Sequence, residues 1–335
     1  MKTLRIAVIG TGYIADYHVR GLLEQPAVEI TAVAAATEDS VKKFAEKYNL
    51  TNAFLTTDAP ALAPREDVDA VIISTPNKFH APYALAFLNE GKDVFLEKPM
   101  AMNACEGEEI MALAEKKGRI VMVGHMWRFD REVNALRQQV AEGALGEIIK
   151  TKGYGIHVNW GPEGWFTRKD LAGGGALIDM GVHAIDTVRY LLGDPRPLSV
   201  YARIGTFYGN YDVDDTAELM ITWENGTVSL IESGWWHPHA DGPEAATRLF
   251  GTLGYGSVFP TFIKLKGEEE HDLTPGDLVK SEHCDQSIYT RQMEYFLSCI
   301  RKRTQPSPGM EEGLTVMKIV DAAYLSSREN RVVHI

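Results

Sequence analysis

Near its start the chain runs from a short apolar stretch, Leu4 to Ile9 (LRIAVI), straight into Gly10-Thr11-Gly12-Tyr13-Ile14-Ala15. A nearly unbroken apolar run of this length suits a strand buried on both faces, the setting of a parallel sheet. A helical pattern follows to about Leu23. Strand, glycine turn and helix in immediate succession leave few folds open. Gly10 permits a tight turn, Gly12 lets backbone amides approach a ligand, and small Ala15 lets the helix pack on its strand. The helix N-terminus then offers partial positive charge to a phosphate. This GxGxxA turn sits where the dinucleotide fingerprint requires it, and it predicts a cofactor held at Gly10, Gly12, Tyr13 and Ile14.

The alternation continues. The pattern predicts strands over Glu29–Ala34, Ala70–Ser74, Asp93–Leu96 and Ile120–Gly124, with helices over Ser40–Tyr48, His80–Asn89 and Asn103–Lys117 between them. Strands alternating with helices imply an α/β domain with a doubly wound parallel sheet, whose ligands sit beyond the carboxyl ends of the strands. The residue that reads the adenosine ribose should stand about 20 positions past the glycines. Ala35, Ala36 and Thr37 occupy that place and bring neither an acid for a free 2′-hydroxyl nor an arginine for a 2′-phosphate. The cofactor is NAD(H) or NADP(H), with NADP slightly favoured because nothing there repels a phosphate. Two segments leave strand ends with polar groups: Ser74-Thr75-Pro76-Asn77-Lys78-Phe79-His80 and Glu97-Lys98-Pro99. Proline after Lys98 restricts the lysine backbone and so directs its side chain. Taken alone, Lys98-Pro99 also fits a surface turn.

A helix over Glu132–Glu142 is followed by a change of pattern at Glu147. Strands are expected over Ile148–His157, Pro197–Ile204, Ala217–Trp223 and Thr227–Ser233, interrupted by one helix that starts after Gly173-Gly174-Gly175 and runs to Leu192. This describes an α+β domain with a mostly antiparallel sheet. Two helices, Ile288–Arg301 and Glu311–Ser327, close the chain. The expected organisation is a nucleotide domain over 1–124, a second domain over 125–284, and a segment 285–335 that packs back on the first. In the interrupting helix, Ile178, Val182, Ile185, Val188 and Leu192 share one apolar face, and Asp179, His183 and Asp186 share another. A carboxylate one turn from an imidazole orients it as a general base requires. The same row also suits a solvated helix face. Trp160, Trp165 and Trp235-Trp236-His237-Pro238-His239 could stack on sugar rings or fill a sheet core. His237 and His239 lack a third ligand at a telling distance, so no metal is predicted.

A chain of 335 residues, 45% apolar and 24% charged, is ordinary for two globular domains. Its formal net charge of −12 argues against nucleic acid or an anionic membrane surface as a partner. The apolar run at the start is too short for a signal sequence, and no run is long enough to cross a bilayer. Cys105, Cys284 and Cys299 are few and widely spaced, which suggests no disulfide framework. A cytoplasmic location is expected.

The quoted motifs together resemble the Gfo/Idh/MocA oxidoreductase family. The likeness rests on GTGYIA at 10–15, STPNKFH at 74–80, EKP at 97–99, GHMWRF at 124–129, GGGALIDMGVHAID at 173–186 and DAAYLSSRENRVV at 321–333. It implies a Rossmann domain followed by a domain with a large open sheet, and homodimers or homotetramers formed through that sheet. It also implies oxidation of a secondary hydroxyl on a sugar, sugar derivative or cyclitol, with Lys98, Asp179 and His183 catalytic. Asn77 and His80 match positions near the nicotinamide, with Ser74 and Thr75 beside them, and Glu97 lies at the cofactor. Arg128, Tyr154, His157, Trp165 and Arg168 are assigned to substrate by position. The departure is at Ala35-Ala36, where many members carry an acid or a Ser-Arg pair. Two alternatives keep the ligands and change the outcome: elimination through transient sugar oxidation, or a non-catalytic sensor.

Overall fold

The structure is a computed structural model, and it describes residues 2–158, 161–236, 238, 243–276 and 285–335. The chain divides into two units, one of residues 1–126 with 281–314 and one of 127–280 with 315–335.

The first unit opens with β1 (Leu4–Ile9), α1 (Tyr13–Leu23), β2 (Val28–Ala34), α2 (Glu38–Lys47) and β3 (Phe54–Thr56). It continues with β4 (Ala70–Ile73), α3 (His80–Asn89), β5 (Asp93–Leu96), α4 (Ala104–Lys117) and β6 (Val121–Val123). The strands form one parallel sheet in the order β3-β2-β1-β4-β5-β6. This is the doubly wound order of dinucleotide domains, in which the crevice lies at the β1/β4 switch. Every residue of β4, β5 and β6 is buried, in keeping with runs that are apolar except for Asp93 at the start of β5. β3 was not anticipated, because its three residues are short, half exposed and without alternation.

The second unit contains α5 (Arg131–Ala141), β7 (Ile148–His157), the single turn α6 (Lys169–Ala172), α7 (Val182–Leu191), β8 (Pro197–Gly205), β9 (Thr216–Trp223) and β10 (Val228–Trp235). It goes on through β11 (Ala245–Gly251), β12 (Gly254–Val258), β13 (Phe262–Leu265) and β14 (His271–Asp272). The closing elements are α8 (Gln286–Lys302), α9 (Met310–Glu329) and β15 (Val333–His334). Among the described residues the second sheet has the order β14-β13-β12-β11-β7-β10-β9-β8-β15, and within it only β7 and β10 pair in parallel. α7 packs on β7, β10 and β11. Strands β11 to β14 were not expected, since glycines and charged residues break up their apolar alternation.

α8 belongs to the first unit. Gly21 of α1 brings the two helices together, because a Cβ there would meet Thr290 Cα at 3.1 Å and Tyr289 O at 3.2 Å. The sequence reading assigned all of 285–335 to this unit. Residues 315–335 instead go with the second: the Ser326 and Ser327 hydroxyls accept from the Ala202 and Ile204 amides of β8, and β15 extends the second sheet.

Candidate active site

The glycine turn has the form a dinucleotide requires. Gly10 has φ +97°, and a Cβ there would collide with the Ser74 carbonyl. At Gly12 a Cβ would meet nothing within 4 Å, so the backbone faces open space. No side chain caps the start of α1, whereas Thr37, Asn103, Asp130 and Asp285 cap α2, α4, α5 and α8. The uncapped amides of α1 are therefore available to a pyrophosphate. Tyr13 is exposed and its hydroxyl meets that of Tyr17 at 2.8 Å, while Ile14 is half-buried. At the adjoining strand end, Ser74 donates to the Ile9 carbonyl at 3.3 Å, the buried Thr75 hydroxyl has no protein partner, and Asn77 is buried. Ala35 is half-buried, and Ala36 and Thr37 are exposed. Thr37 accepts from the Ser40 amide, and Lys42 and Lys43 pair with Glu38 and Asp39 on their own helix. These residues fit a nicotinamide dinucleotide.

Glu97 and Lys98 leave the end of β5 in different environments. Lys98 is half-buried, and the Lys98–Pro99 peptide is cis. Glu97 is buried, its Oε1 2.7 Å from His18 Nε2 and its Oε2 accepting the Lys98 amide at 3.0 Å. Burial works against its charge, but the His18 hydrogen bond and the nearby positive charges hold the Glu97 carboxyl below the usual carboxylate range. His80, expected near the nicotinamide, is fully buried. Its Nδ1 lies 2.7 Å from the Pro99 carbonyl and its Nε2 2.9 Å from the Thr75 carbonyl. Both ring nitrogens are committed to the backbone, so any effect of His80 on a cofactor is indirect.

In the second unit the glycine-rich segment departs from the regular helix expected of it. Residues Leu177–Gly181 form a π turn ahead of α7, so Asp179, His183 and Asp186 are not one evenly spaced row. Such turns re-aim side chains and recur at functional sites. Asp179 Oδ2 accepts the indole N–H of Trp235 at 3.2 Å. The His183 ring is nearly buried and lies tilted against Trp127, with centroids 5.2 Å apart. Behind the turn stands Asp214. Its Oδ1 accepts the Gly175 amide at 2.8 Å and the Tyr324 hydroxyl at 2.7 Å, and its Oδ2 accepts the Leu177 amide at 2.8 Å. Burial raises the Asp214 carboxyl above its ordinary value against these donors, and burial beside Asp214 pushes Tyr324 well above its own.

The residues assigned to substrate by position have protein partners of their own. Arg128 is buried, with Nε and Nη2 on Asp186 and Nη1 and Nη2 on Asp194, at 2.7 to 3.2 Å. Burial opposes its charge, but the two carboxylates hold the Arg128 guanidinium above its ordinary value. Four of its five donors go to these two carboxylates, and Asp186 is one of them. Tyr154 is fully buried in a cluster with Ile156 and Ala246. His157 is buried with Nδ1 3.1 Å from Glu244, and Trp165 stacks on Phe166 at 3.8 Å. Arg168 is exposed and paired with Asp170. Trp160, His237 and His239 fall outside the described residues. Among the described residues no cluster of His, Cys, Asp and Glu could hold a metal.

Residues 4–125 match the family described as "Oxidoreductase family, NAD-binding Rossmann fold", and residues 133–256 match the "GFO/IDH/MocA C-terminal domain". The D-glucoside 3-dehydrogenase of Escherichia coli (strain K12) is 30% identical over 97% of this chain and 95% of its own length. The chain belongs to the Gfo/Idh/MocA oxidoreductase family. The inositol 2-dehydrogenase of Rhizobium meliloti (strain 1021) is 26% identical over 99% of both chains. A levoglucosan dehydrogenase solved in complex with NADH and L-sorbose shares the fold, with a TM-score of 0.90 at 23% identity, over 100% of this chain and 99% of that one.

This Gfo/Idh/MocA oxidoreductase also carries residues that sequence reasoning missed and that hold the candidate site together. His18 is a buried position of α1 that nothing in the sequence singles out. Asp214 sits in Val213-Asp214-Asp215, where nothing in the spacing connects it to Gly175. Trp235 was noticed as a possible sugar platform, but it is buried and serves Asp179 through its N–H. Its signal was an indole donor on a strand beneath the helix that carries a carboxylate.

Proposed function

We propose that this protein reversibly oxidises a secondary hydroxyl of a sugar, a sugar derivative or a cyclitol. Lys98, Asp179 and His183 are all present in a member of an oxidoreductase family, and two relatives are named for glucoside and inositol dehydrogenation. Asp179, held by the Trp235 indole, and His183, seated on Trp127, carry the reading. They put a carboxylate and an imidazole on one turn among aromatic rings. When bound, the nicotinamide supplies the acceptor for the hydride that leaves the carbinol carbon. His183, with Asp179 to stabilise its charged form, takes the hydroxyl proton. For Lys98 the reading assigns stabilisation of the charge that develops as the carbonyl forms.

At the ribose corner we read Ala35, Ala36 and Thr37 as accepting either NAD(H) or NADP(H), with NADP(H) slightly favoured. No carboxylate stands there to repel a phosphate, and the pairing of Lys42 and Lys43 within α2 keeps the advantage small. A panel of glucosides, free sugars and cyclitols assayed with each cofactor tests both readings. Reduced cofactor should accumulate with at least one ring alcohol, and the two cofactors should differ in kcat/KM by no more than about tenfold. Product formed without net reduction would point to transient oxidation and elimination. A preference for NAD above about a hundredfold would overturn the reading of the ribose corner.

The open face of the second sheet supports a homo-oligomer. Tyr201, Met220 and Leu230 lie in register across β8, β9 and β10, each at least 38% exposed, and the row continues into Lys152 and Arg248. A neighbouring row carries Arg203, Glu218 and Glu232. An apolar stripe flanked by both signs of charge can pair with a second copy of itself across a two-fold axis. Light scattering should give a dimer or tetramer, and Leu230→Glu combined with Met220→Glu should reduce the mass to that of the monomer. An unchanged mass would exclude this face. We place the enzyme in the cytoplasm, consistent with free Cys105 and Cys299 and with no described helix long and apolar enough to cross a membrane.

A further inference from the structure

We propose that His80 is a charged strut, an imidazolium that ties the carboxyl end of β4 to that of β5 and so fixes the backbone from which Lys98 projects. The inference rests on the dehydrogenase reading only for the purpose of the lysine. The strut itself follows from hydrogen-bond geometry.

His80 Nδ1 is 2.7 Å from the Pro99 carbonyl and Nε2 is 2.9 Å from the Thr75 carbonyl. Carbonyl oxygens only accept. A neutral imidazole has one N–H, so at either tautomer a bare nitrogen lone pair would face a carbonyl oxygen at hydrogen-bond distance. In a fully buried ring that repulsion cannot be screened by water. Turning the ring over would set carbon atoms against both oxygens and lose both bonds. Only the doubly protonated ring satisfies the two acceptors together.

A buried imidazolium needs a counter-charge. Glu97 provides it: the carboxyl is buried, held in its ionised form, and near enough for its charge to favour protonation of His80. Burial, the largest influence on His80, favours the neutral ring and on balance draws it below the ordinary histidine value, and the charge on Lys98 acts in the same direction, so the strut stands on the two carbonyl acceptors and not on the ring's surroundings. The two carbonyl bonds and Glu97 oppose them. His18, the other buried histidine on Glu97, has a different inventory. Its Nε2 meets Glu97 and its Nδ1 has no hydrogen-bond partner, so it does not face two acceptors at once.

The consequence for Lys98 is mechanical. Its amide donates to Glu97, and the carbonyl of the next residue, Pro99, accepts from His80. The peptide unit before Lys98 and the one after Pro99 are therefore pinned by buried groups. His80 is a positioning residue for the lysine, and it also anchors Thr75 at the other strand end.

Nitrogen NMR of the imidazole rings tests the protonation state without a variant or a turnover assay. The protein has 10 histidines. At pH 8, about 1.5 units above the ordinary histidine value, one ring should retain protons on both nitrogens while solvent-exposed rings are neutral. That signal should be the one missing from His80→Gln. If no ring is doubly protonated at pH 8, the proposal is overturned. In His80→Gln, which cannot reach both carbonyls, kcat should fall about ten- to a hundredfold, and the dinucleotide Kd should stay within threefold. An unchanged kcat, or a Kd that rises as much as kcat falls, overturns the positioning role. A doubly protonated ring in a protein that oxidises no polyol would leave the strut standing and remove the dehydrogenase reading. A neutral ring in an active dehydrogenase would do the reverse.

Discussion

His183→Ala is expected to lower kcat by about three orders of magnitude, within the range that general acid–base groups contribute, while the dinucleotide Kd stays within about twofold. The expectation follows from a division of labour within the chain. The glycine turn and the strand ends that fit the cofactor belong to residues 1–126, and His183 belongs to the other unit. The histidine is nearly buried against Trp127, so removing its ring also removes packing. His183→Asn, which retains much of that volume, is therefore the second variant, and it should lose activity to a similar degree. Added imidazole should partly restore His183→Ala by entering the vacated space. All six tryptophans lie in the second unit, so a tryptophan fluorescence melt reports on that unit alone and separates lost chemistry from lost fold. A variant that melts normally and turns over at the wild-type rate would end the assignment of His183 as base.

What could be read from the sequence follows the range of the interactions involved. The parallel sheet was legible because its central strands are almost wholly buried and carry their own signal, as LRIAVI, AVII and DVFL show, whereas the exposed edge strand β3 carries none. Gly10 and Gly12 were legible because the turn they make is local. Asp179 and His183 were legible as a pair, but their regular helical spacing was not what the chain adopts. The π turn depends on Asp214, about 35 residues away in sequence, which holds the Gly175 and Leu177 amides. Arg128 is the opposite case. The arginine of the GHMWRF motif was assigned to substrate by position, and only the fold shows that Asp186 and Asp194 already pair with it. A buried ion pair formed across 58 residues leaves no periodic trace. Asp215 was equally silent: it accepts the Phe207, Tyr208 and Gly209 amides and orders that loop.

Gly175→Ala should strongly destabilise the second unit. The three glycines that precede the Asp179 turn serve different ends. Gly173 has φ +83°, which an alanine adopts only under strain. A Cβ on Gly174 would collide with the Tyr324 hydroxyl, and one on Gly175 would collide with the Asp214 carbonyl. The last is the worst, because its obstacle is backbone on both sides. The Ala176 amide donates to that same carbonyl at 2.8 Å, and the Asp214 carboxylate accepts the Gly175 and Leu177 amides. An added methyl therefore breaks three hydrogen bonds to one buried aspartate and leaves its carboxylate short of donors. Overpacking plus lost buried hydrogen bonds amounts to about 3–5 kcal/mol. For a unit of this size that corresponds to a fall of about 10 °C in Tm, read from the tryptophan melt. Dinucleotide binding, which belongs to the first unit, should persist at temperatures where the second has not yet unfolded. Tyr324→Phe removes one donor and no space, so it should cost about 1 kcal/mol and retain the Gly175 geometry. If Gly175→Ala melts within about 2 °C of wild type, the Asp214 contact is not what holds the turn that carries Asp179.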